Sequence, residues 1–266
     1  MDTRSGRSQL DLRIATYNIH RCRGMDRRTM PTRIAEVLRE INADVAALQE
    51  VVAAEGDGDQ ARYIGESLGL HWALGENRKL EGSAYGNVVL SRFPIRVVKN
   101  HDISVAGRER RGAFHTDVLL GHKDAVHVFN IHLGTAFVER RHQGRRLSER
   151  DKGILHGPEL TGAKIVLGDF NEWTSGLASK LLGSHLKSVD VKKQLKRRRT
   201  FPGVLPLLHL DHIYYDGPLE LLALEVHRTR KSLVASDHLP LVADFKYLKG
   251  VEPATEPPGT EVVKEA

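Results

Sequence analysis

Cysteine is almost missing from this chain: Cys22 is the only one in 266 residues. An intramolecular disulfide framework and a cysteine-built zinc module are therefore excluded. Any metal chemistry has to rest on oxygen and imidazole donors. The same scarcity fits a reducing compartment, so a cytoplasmic location is the expectation. Long apolar runs are absent too. Nothing approaches the roughly 20 residues needed to span a bilayer, which leaves peripheral contact as the membrane option to consider. Met1–Arg7 carries charge with no apolar core behind it and does not read as a secretory signal. No internal repeat is found, and no linker divides the chain. Residues 1–10 are expected to be a flexible N-terminus and 11–249 a single domain. Residues 250–266, rich in Pro, Glu and Thr, are expected to be a disordered tail.

Hydrophobic residues make up 40% and charged residues 28%, which allows an ordinary buried core at this length. A net charge of +6 and a pI near 9.4 favour polyanionic partners, nucleic acid or an anionic membrane surface. The densest basic run is Lys192 to Arg199. A second stretch holds Arg140, Arg141, Arg145, Arg146 and Arg150. Either run also reads as a solvated loop or helix face. Short runs rich in Val, Ile and Leu predict strands at Leu12–Ile19, Asp44–Val51, Asn87–Phe93, His115–Leu120, Val126–Leu133, Lys164–Phe170, Leu210–Tyr215, Leu219–Val226 and Leu241–Tyr247. Helical spacing follows Pro31, with apolar positions at Ile34, Val37, Leu38 and Ile41. It recurs near Gln60–Leu68, Glu139–Leu155 and Ser175–Leu182. Helix crossovers after the first strand and before Lys164, with hairpin-like neighbours elsewhere, predict mixed sheets covered by helices.

Six polar clusters interrupt the apolar runs: Thr16-Tyr17-Asn18, Leu48-Gln49-Glu50, Asn130-Ile131-His132, Gly168-Asp169-Phe170-Asn171, Leu210-Asp211-His212 and Ser236-Asp237-His238. Asn18, Glu50, His132 and Asp169 fall at strand C-terminal ends. Asp211 and Asp237-His238 fall at or just before strand starts. In antiparallel neighbours these positions adjoin, so one rim of the sheets could collect all six. Taken singly, each cluster also reads as a strand end, turn or cap. Together they supply carboxylates, amides and imidazoles, which suit Mg²⁺ or Mn²⁺ better than zinc. Phosphate-ester hydrolysis needs such a set. A lone general acid or base gives about 10²–10⁴-fold, far short of what the reaction requires. Glu50, Asp169 and Asp237 offer hard oxygen ligands, and Asn18 and Asn171 offer amide oxygens. His238 is placed to meet a phosphoryl or leaving oxygen, with Asp211 as the partner of its other nitrogen. His132 is a second donor, and Asn171 is a candidate for holding the attacking water. Arg111 is a candidate phosphate contact, with a plain surface role as the alternative.

Two other classes compete. Gly65-Glu66-Ser67-Leu68-Gly69 fits a serine nucleophile motif, but Ala61, Ile64 and Leu68 have helical spacing where a strand-to-helix elbow is needed. A non-catalytic nucleic-acid or membrane-binding module would explain the basic runs. It would not explain the complete polar set.

The ordered markers, with Gly86-Asn87-Val88-Val89-Leu90-Ser91-Arg92-Phe93-Pro94 among them, resemble the endonuclease/exonuclease/phosphatase superfamily of DNase I-like hydrolases from Leu12 to about Tyr247. The resemblance implies an α/β four-layer sandwich of two packed mixed β-sheets flanked by helices, and Mg²⁺-dependent phosphoester hydrolysis; a monomer is the expectation for the chain. It implies Glu50 as principal metal ligand with Asn18 nearby and Asp237 helping. Asp169 and Asn171 would position or activate water, and Asp211 would orient His238. Whether Asp169 or the histidine is the base stays open. Glu50 is followed by Val51-Val52, unlike the abasic-site nucleases. Asn18-Ile19-His20 and His132-Leu133-Gly134 look more like small bacterial members, which resemble proteins of glycolipid-anchor remodelling. The expected substrate is a phosphate ester: nucleic acid cut by an endo- or exonuclease, or alternatively a phospholipid or glycolipid phosphodiester.

Overall fold

The computed structural model describes residues 8–54, 56–121, 124–149, 153–157, 160–172, 177–184, 186–188, 199–203 and 207–251. Two mixed sheets pack face to face with helices outside, the four-layer α/β sandwich expected. The first sheet contains β1 (Ser8–Asn18), β2 (Val45–Ala53), β3 (His71–Leu80), β4 (Ser83–Ser91), β11 (Leu219–Val226) and β12 (Leu241–Val251), in the order β11-β12-β1-β2-β4-β3. The second contains β5 (Ile95–Asp102), β6 (Gly112–Leu119), β7 (Ala125–His132), β8 (Ala163–Asp169), β9 (Lys187–Ser188) and β10 (Asp211–Asp216), in the order β5-β6-β7-β8-β10-β9. Each sheet has one parallel pair at its centre, β1 with β2 and β7 with β8. These are the two crossovers expected from the sequence, carried by α1 (Pro31–Ile41) and α3 (Phe137–Ser148).

The central strands read as continuous apolar runs because both of their faces are covered. Leu12 and Ile14 of β1 meet Val128, Ile165 and Leu167 of the second sheet in the middle layer. Ala15 and Tyr17, one residue out of phase, pack under α1 and α2 (Gln60–Leu68) with Ile34, Val37, Leu38 and Ile64. On the far side Phe129, Ile131, Val166 and Phe170 pack under α3 and α4 (Leu177–Gly183). Helix α1 starts with Pro at its first position and stops where Asn42 turns left-handed at φ 55°. Helix α2 is capped by the Asp59 carboxylate, which accepts from the Arg62 N–H, and ends at Gly69, φ 64°. Ser67 lies inside α2, so no nucleophile elbow exists there and the serine-hydrolase reading falls.

Several boundaries differ from expectation. β3 and β5 were not expected as strands. Both are sheet edges with a mixed burial pattern and polar runs such as Glu76-Asn77-Arg78-Lys79, the composition that blunts an edge. β4 starts at Ser83, before the expected Asn87. Helix α3 stops at Ser148, short of Leu155, and the 3₁₀ turn Ile154–His156 follows separately. β1 begins inside the stretch expected to be flexible, because Ser8 and Leu10 pair with Val251 and Tyr247. The tail beyond Val251 lies outside the described residues, as does the basic run at Lys192–Arg198. No helix among the described residues is long and apolar enough to cross a membrane.

A fully buried amide relay stitches the two sheets together. Gln49 Nε2 donates to Asn130 Oδ1 at 2.8 Å, and Asn130 Nδ2 donates to Leu48 O at 2.9 Å and Val88 O at 2.8 Å. Asn87 Nδ2 reaches Asn130 O at 3.1 Å. Asn130→Ala would take the side-chain donor from two buried carbonyls and one acceptor from the Gln49 amide, which keeps Thr16 Oγ1 and Ala47 O. We expect it to lower stability by about 3 kcal/mol, read as a lower urea midpoint at unchanged slope.

Candidate active site

The relay sits directly beneath the rim where the polar clusters meet. β1 ends at Asn18, paired with Gln49, and β7 and β8 end together with His132 opposite Asp169. β10 begins with Asp211 opposite Asp169. The loop before β12 delivers Asp237 and His238, tied to the rim by Ser236 Oγ, which donates to Asn18 O at 2.8 Å.

Local backbone shape explains why these side chains point where they do. The β2–β4 register slips between Leu48 and Val51, and Glu50 sits in that bulge at φ 58°. A left-handed glutamate costs about 1–3 kcal/mol, and bulges re-aim side chains. Here the side chain is turned onto the rim. Gly168 has φ 143°, and a Cβ there would lie 1.8 Å from Ile131 O, so only glycine lets β8 run this close to β7 just before Asp169. Phe170 is buried under the helices, and Asn171 turns left-handed at φ 50°. Its N–H donates to Asp169 Oδ1 at 2.9 Å, and its Nδ2 donates to Leu133 O at 2.9 Å.

Asp169 is the hub. Its Oδ2 accepts from Asn18 Nδ2 at 3.0 Å and lies 3.6 Å from both His132 Nε2 and His238 Nε2. Asn18 Nδ2 also reaches Glu50 Oε1 at 3.2 Å, so one amide bridges two carboxylates, while its Oδ1 accepts from the His20 N–H at 3.0 Å. His238 Nδ1 donates to Asp211 Oδ2 at 3.0 Å. Arg111, buried just before β6, donates through one guanidinium nitrogen to His132 Nδ1 at 2.9 Å and through another to Glu109 at 2.8 Å. A guanidinium can only donate. His132 Nδ1 is therefore an acceptor, and the proton of the neutral ring sits on Nε2, facing Asp169.

The electrostatics follow from the contacts. Burial raises the Asp169 carboxyl to about 6, with the Asp211 charge adding and His238 opposing. Burial works against charge on His238, yet Asp211, Asp169 and Asp237 push it up to about 10. His132 is held well below its ordinary value by burial and by the Arg111 and His238 charges. The site thus pairs an imidazolium with a neutral imidazole, both presenting Nε2–H to one carboxylate oxygen.

All nine residues singled out from the sequence lie on this one rim. Eight share the contacts above, and Asp237 joins through Ser236 Oγ and through His20 Nδ1, 3.6 Å from its Oδ1. Three neighbours were not picked out. His20 follows Asn18 by two residues, Glu109 anchors Arg111, and the Phe201 ring lies 4.8 Å from that of His238. Only proximity to Asn18 and Arg111 signals the first two. Phe201 carries no sequence signal.

Residues 15–238 match the profile of the Endonuclease/Exonuclease/phosphatase family. The chain is 30% identical over 251 residues to Uncharacterized protein YbhP of Escherichia coli (strain K12), covering 89% of this chain and 97% of that one. An endonuclease/exonuclease/phosphatase from Beutenbergia cavernae superposes with a TM-score of 0.70 at 24% identity, covering 90% of this chain and 72% of that one. The mannosyl-6-phosphatase Bt3783 of Bacteroides thetaiotaomicron superposes with a TM-score of 0.66 at 18% identity, covering 88% and 99%. At these identities the two structures speak for the fold alone.

Proposed function

Because the chain belongs to the Endonuclease/Exonuclease/phosphatase family, a family of phosphoester hydrolases, we propose that it is a Mg²⁺-dependent phosphodiesterase acting on nucleic acid. The observation that carries the chemistry is the pair of imidazoles, each fixed by its own partner, with both Nε2 atoms 3.6 Å from Asp169 Oδ2 beside the Asn18–Glu50 bridge. The donor set fits a hard dication: carboxylates from Glu50, Asp169 and Asp237, amides from Asn18 and Asn171, and no thiolate. Glu50, helped by Asn18 and Asp237, would hold Mg²⁺, with Mn²⁺ as a substitute. Bound there, the cation would supply charge neutralisation at the phosphoryl group.

The protein's own groups then divide the work. Asp169, braced by the Asn171 N–H, faces the attacking water. His238, held by Asp211, and His132, held by Arg111, direct N–H donors at the phosphoryl oxygens as negative charge develops. The Asp169–His238 pair handles the water's proton. The +6 charge suits a polyanionic substrate, and α3, which follows His132, supports nucleic acid among them. Its first turn exposes Phe137 (60%) and Val138 (73%), and Arg141, Arg145 and Arg146 are exposed further along. An aromatic platform with arginines behind it matches stacked bases and a phosphate backbone.

Nicking of supercoiled plasmid is expected in Mg²⁺ and is expected to stop on chelation. If no plasmid or single-stranded substrate is cut while bis-p-nitrophenyl phosphate is, the hydrolase chemistry stands and the nucleic-acid assignment gives way to phospholipid or small phosphodiesters.

A further inference from the structure

The outward face of the second sheet holds another cluster of ligand-type side chains. His115 and Asp117 alternate on β6 and share a face, and His127 of β7 is the cross-strand partner of Asp117. All three are buried. Asp117 Oδ1 lies 2.7 Å from His127 Nδ1 and 3.3 Å from His115 Nε2, and the three ligand atoms lie within 4.8 Å of one another. His127 precedes His132 by five residues on the same strand. At the rise of a strand, cluster and rim are about 16 Å apart.

Hydrogen bonding inside the cluster is incomplete in a way that a cation completes. His127 Nε2 faces Thr161 O at 3.2 Å. A carbonyl only accepts, so Nε2 carries a proton; Nδ1, 2.7 Å from Asp117 Oδ1, then either donates to the carboxylate from a cationic ring or, in a neutral ring, turns a lone pair to it that a metal ion between them would take up. His115 Nε2 is buried and points into the same space; among the described residues its nearest acceptor is Asp117 Oδ1 at 3.3 Å, out of hydrogen-bond geometry. Ligands about 2.0–2.1 Å from a tetrahedral zinc ion lie roughly 3.3 Å from one another. The His115–Asp117 separation already has that value, and the His127–Asp117 pair needs to open by roughly 0.6 Å. An outer shell is also in place. Thr161 O orients His127, Arg96 Nε donates to Asp117 Oδ2 at 3.2 Å, and the His115 ring stacks on Phe129 with centroids 4.1 Å apart. Lys164, beside His127 in the register, is engaged by Leu155 O at 2.7 Å. The Arg96 side chain is 66% exposed and marks a way in from solvent.

We propose that His115, Asp117 and His127 form a second metal site, for zinc or a similar transition-metal dication, that clamps β6 to β7 apart from the hydrolytic rim. Two imidazoles and one carboxylate suit zinc, cobalt or nickel, whereas Mg²⁺ prefers all-oxygen shells. The metal-free account is an ion-pair network: against the opposing effect of burial, His115, His127 and Arg96 hold the Asp117 carboxyl well below the usual range.

The test is titration of chelator-stripped full-length protein with Co²⁺, in excess Mg²⁺ to occupy the rim, read by visible ligand-field absorption. Competition by Zn²⁺ is measured alongside. One equivalent of Co²⁺ is expected to give a band that Zn²⁺ removes. His115→Gln and His127→Gln are each expected to weaken binding at least tenfold, and Glu50→Gln to leave the band intact. His115→Gln is the gentler variant, because its Nε2 gives up no hydrogen bond. A wild-type protein that takes up no Co²⁺ or Zn²⁺ under these conditions overturns the proposal. So does a band lost in Glu50→Gln but kept in both histidine variants.

Discussion

His238→Ala is expected to lower kcat for phosphodiester hydrolysis by about 10²–10⁴-fold, the contribution of one positioned proton donor. The reason is geometric. His238 stands between two carboxylates, with Nδ1 3.0 Å from Asp211 and Nε2 3.6 Å from Asp169. Asp211 is fully buried, and among the described residues its Oδ1 has no hydrogen-bond partner and its Oδ2 is oriented by the imidazole. A buried carboxylate used this way acts through the ring and not on the substrate. Asp211→Asn is therefore expected to slow turnover as well, and the double variant to be no slower than His238→Ala alone. Independent losses that multiply would separate Asp211 from the histidine. Removing the ring also leaves Asp169 facing Asp211 across β8 and β10 with no cation between them. A lower Tm should accompany the kinetic loss, and circular dichroism at the assay temperature separates the two effects.

How far this site could be read from the sequence depended on what each residue does locally. Asn18, His132, Asp169 and Asp211 are polar residues that interrupt apolar runs at strand ends, so pattern alone located them. The same pattern picked out Glu50 as a strand end, but β2 runs on to Ala53 and Glu50 lies inside it. What turns it onto the rim is the bulge and its left-handed backbone, and the adjacent letters Gln49 and Val51 do not encode that. Gln49 and Asn130 are 81 positions apart, and their contact exists only because the two sheets close on each other. The His115–Asp117–His127 cluster was invisible for the same reason. His115 and Asp117 alternate with Phe114, Thr116 and Val118, and His127 lies between Val126 and Val128, in strands that read as core, and only the β6–β7 register brings His127 opposite Asp117. The edges β3 and β5 escaped notice because an edge strand needs little apolar surface and is protected by charge.

The largest metal effect is expected at Glu50. Glu50→Gln should abolish Mg²⁺-dependent turnover, by at least about 10³-fold, which corresponds to roughly 4 kcal/mol of barrier. It should also uncouple stability from the ion. For the wild-type protein, Mg²⁺ at about 100 times its dissociation constant adds roughly 2.7 kcal/mol to stability. In a domain of this size that raises Tm by about 5–10 °C. The variant is expected to show almost none of that rise. In chelator the order should reverse. Glu50 and Asp169 are drawn together on one Asn18 amide, and a neutral side chain at position 50 removes their mutual repulsion, so the metal-free variant should melt no lower than the metal-free wild type. A residue kept for packing would lose stability in both conditions. Only one that holds a cation against the cost of like charge and a left-handed backbone gives the crossed pattern, and differential scanning fluorimetry with and without Mg²⁺ reads it directly. Parallel melting curves, with the same Mg²⁺ shift in both proteins, would remove Glu50 from the metal site and leave its strained backbone at the rim without a function.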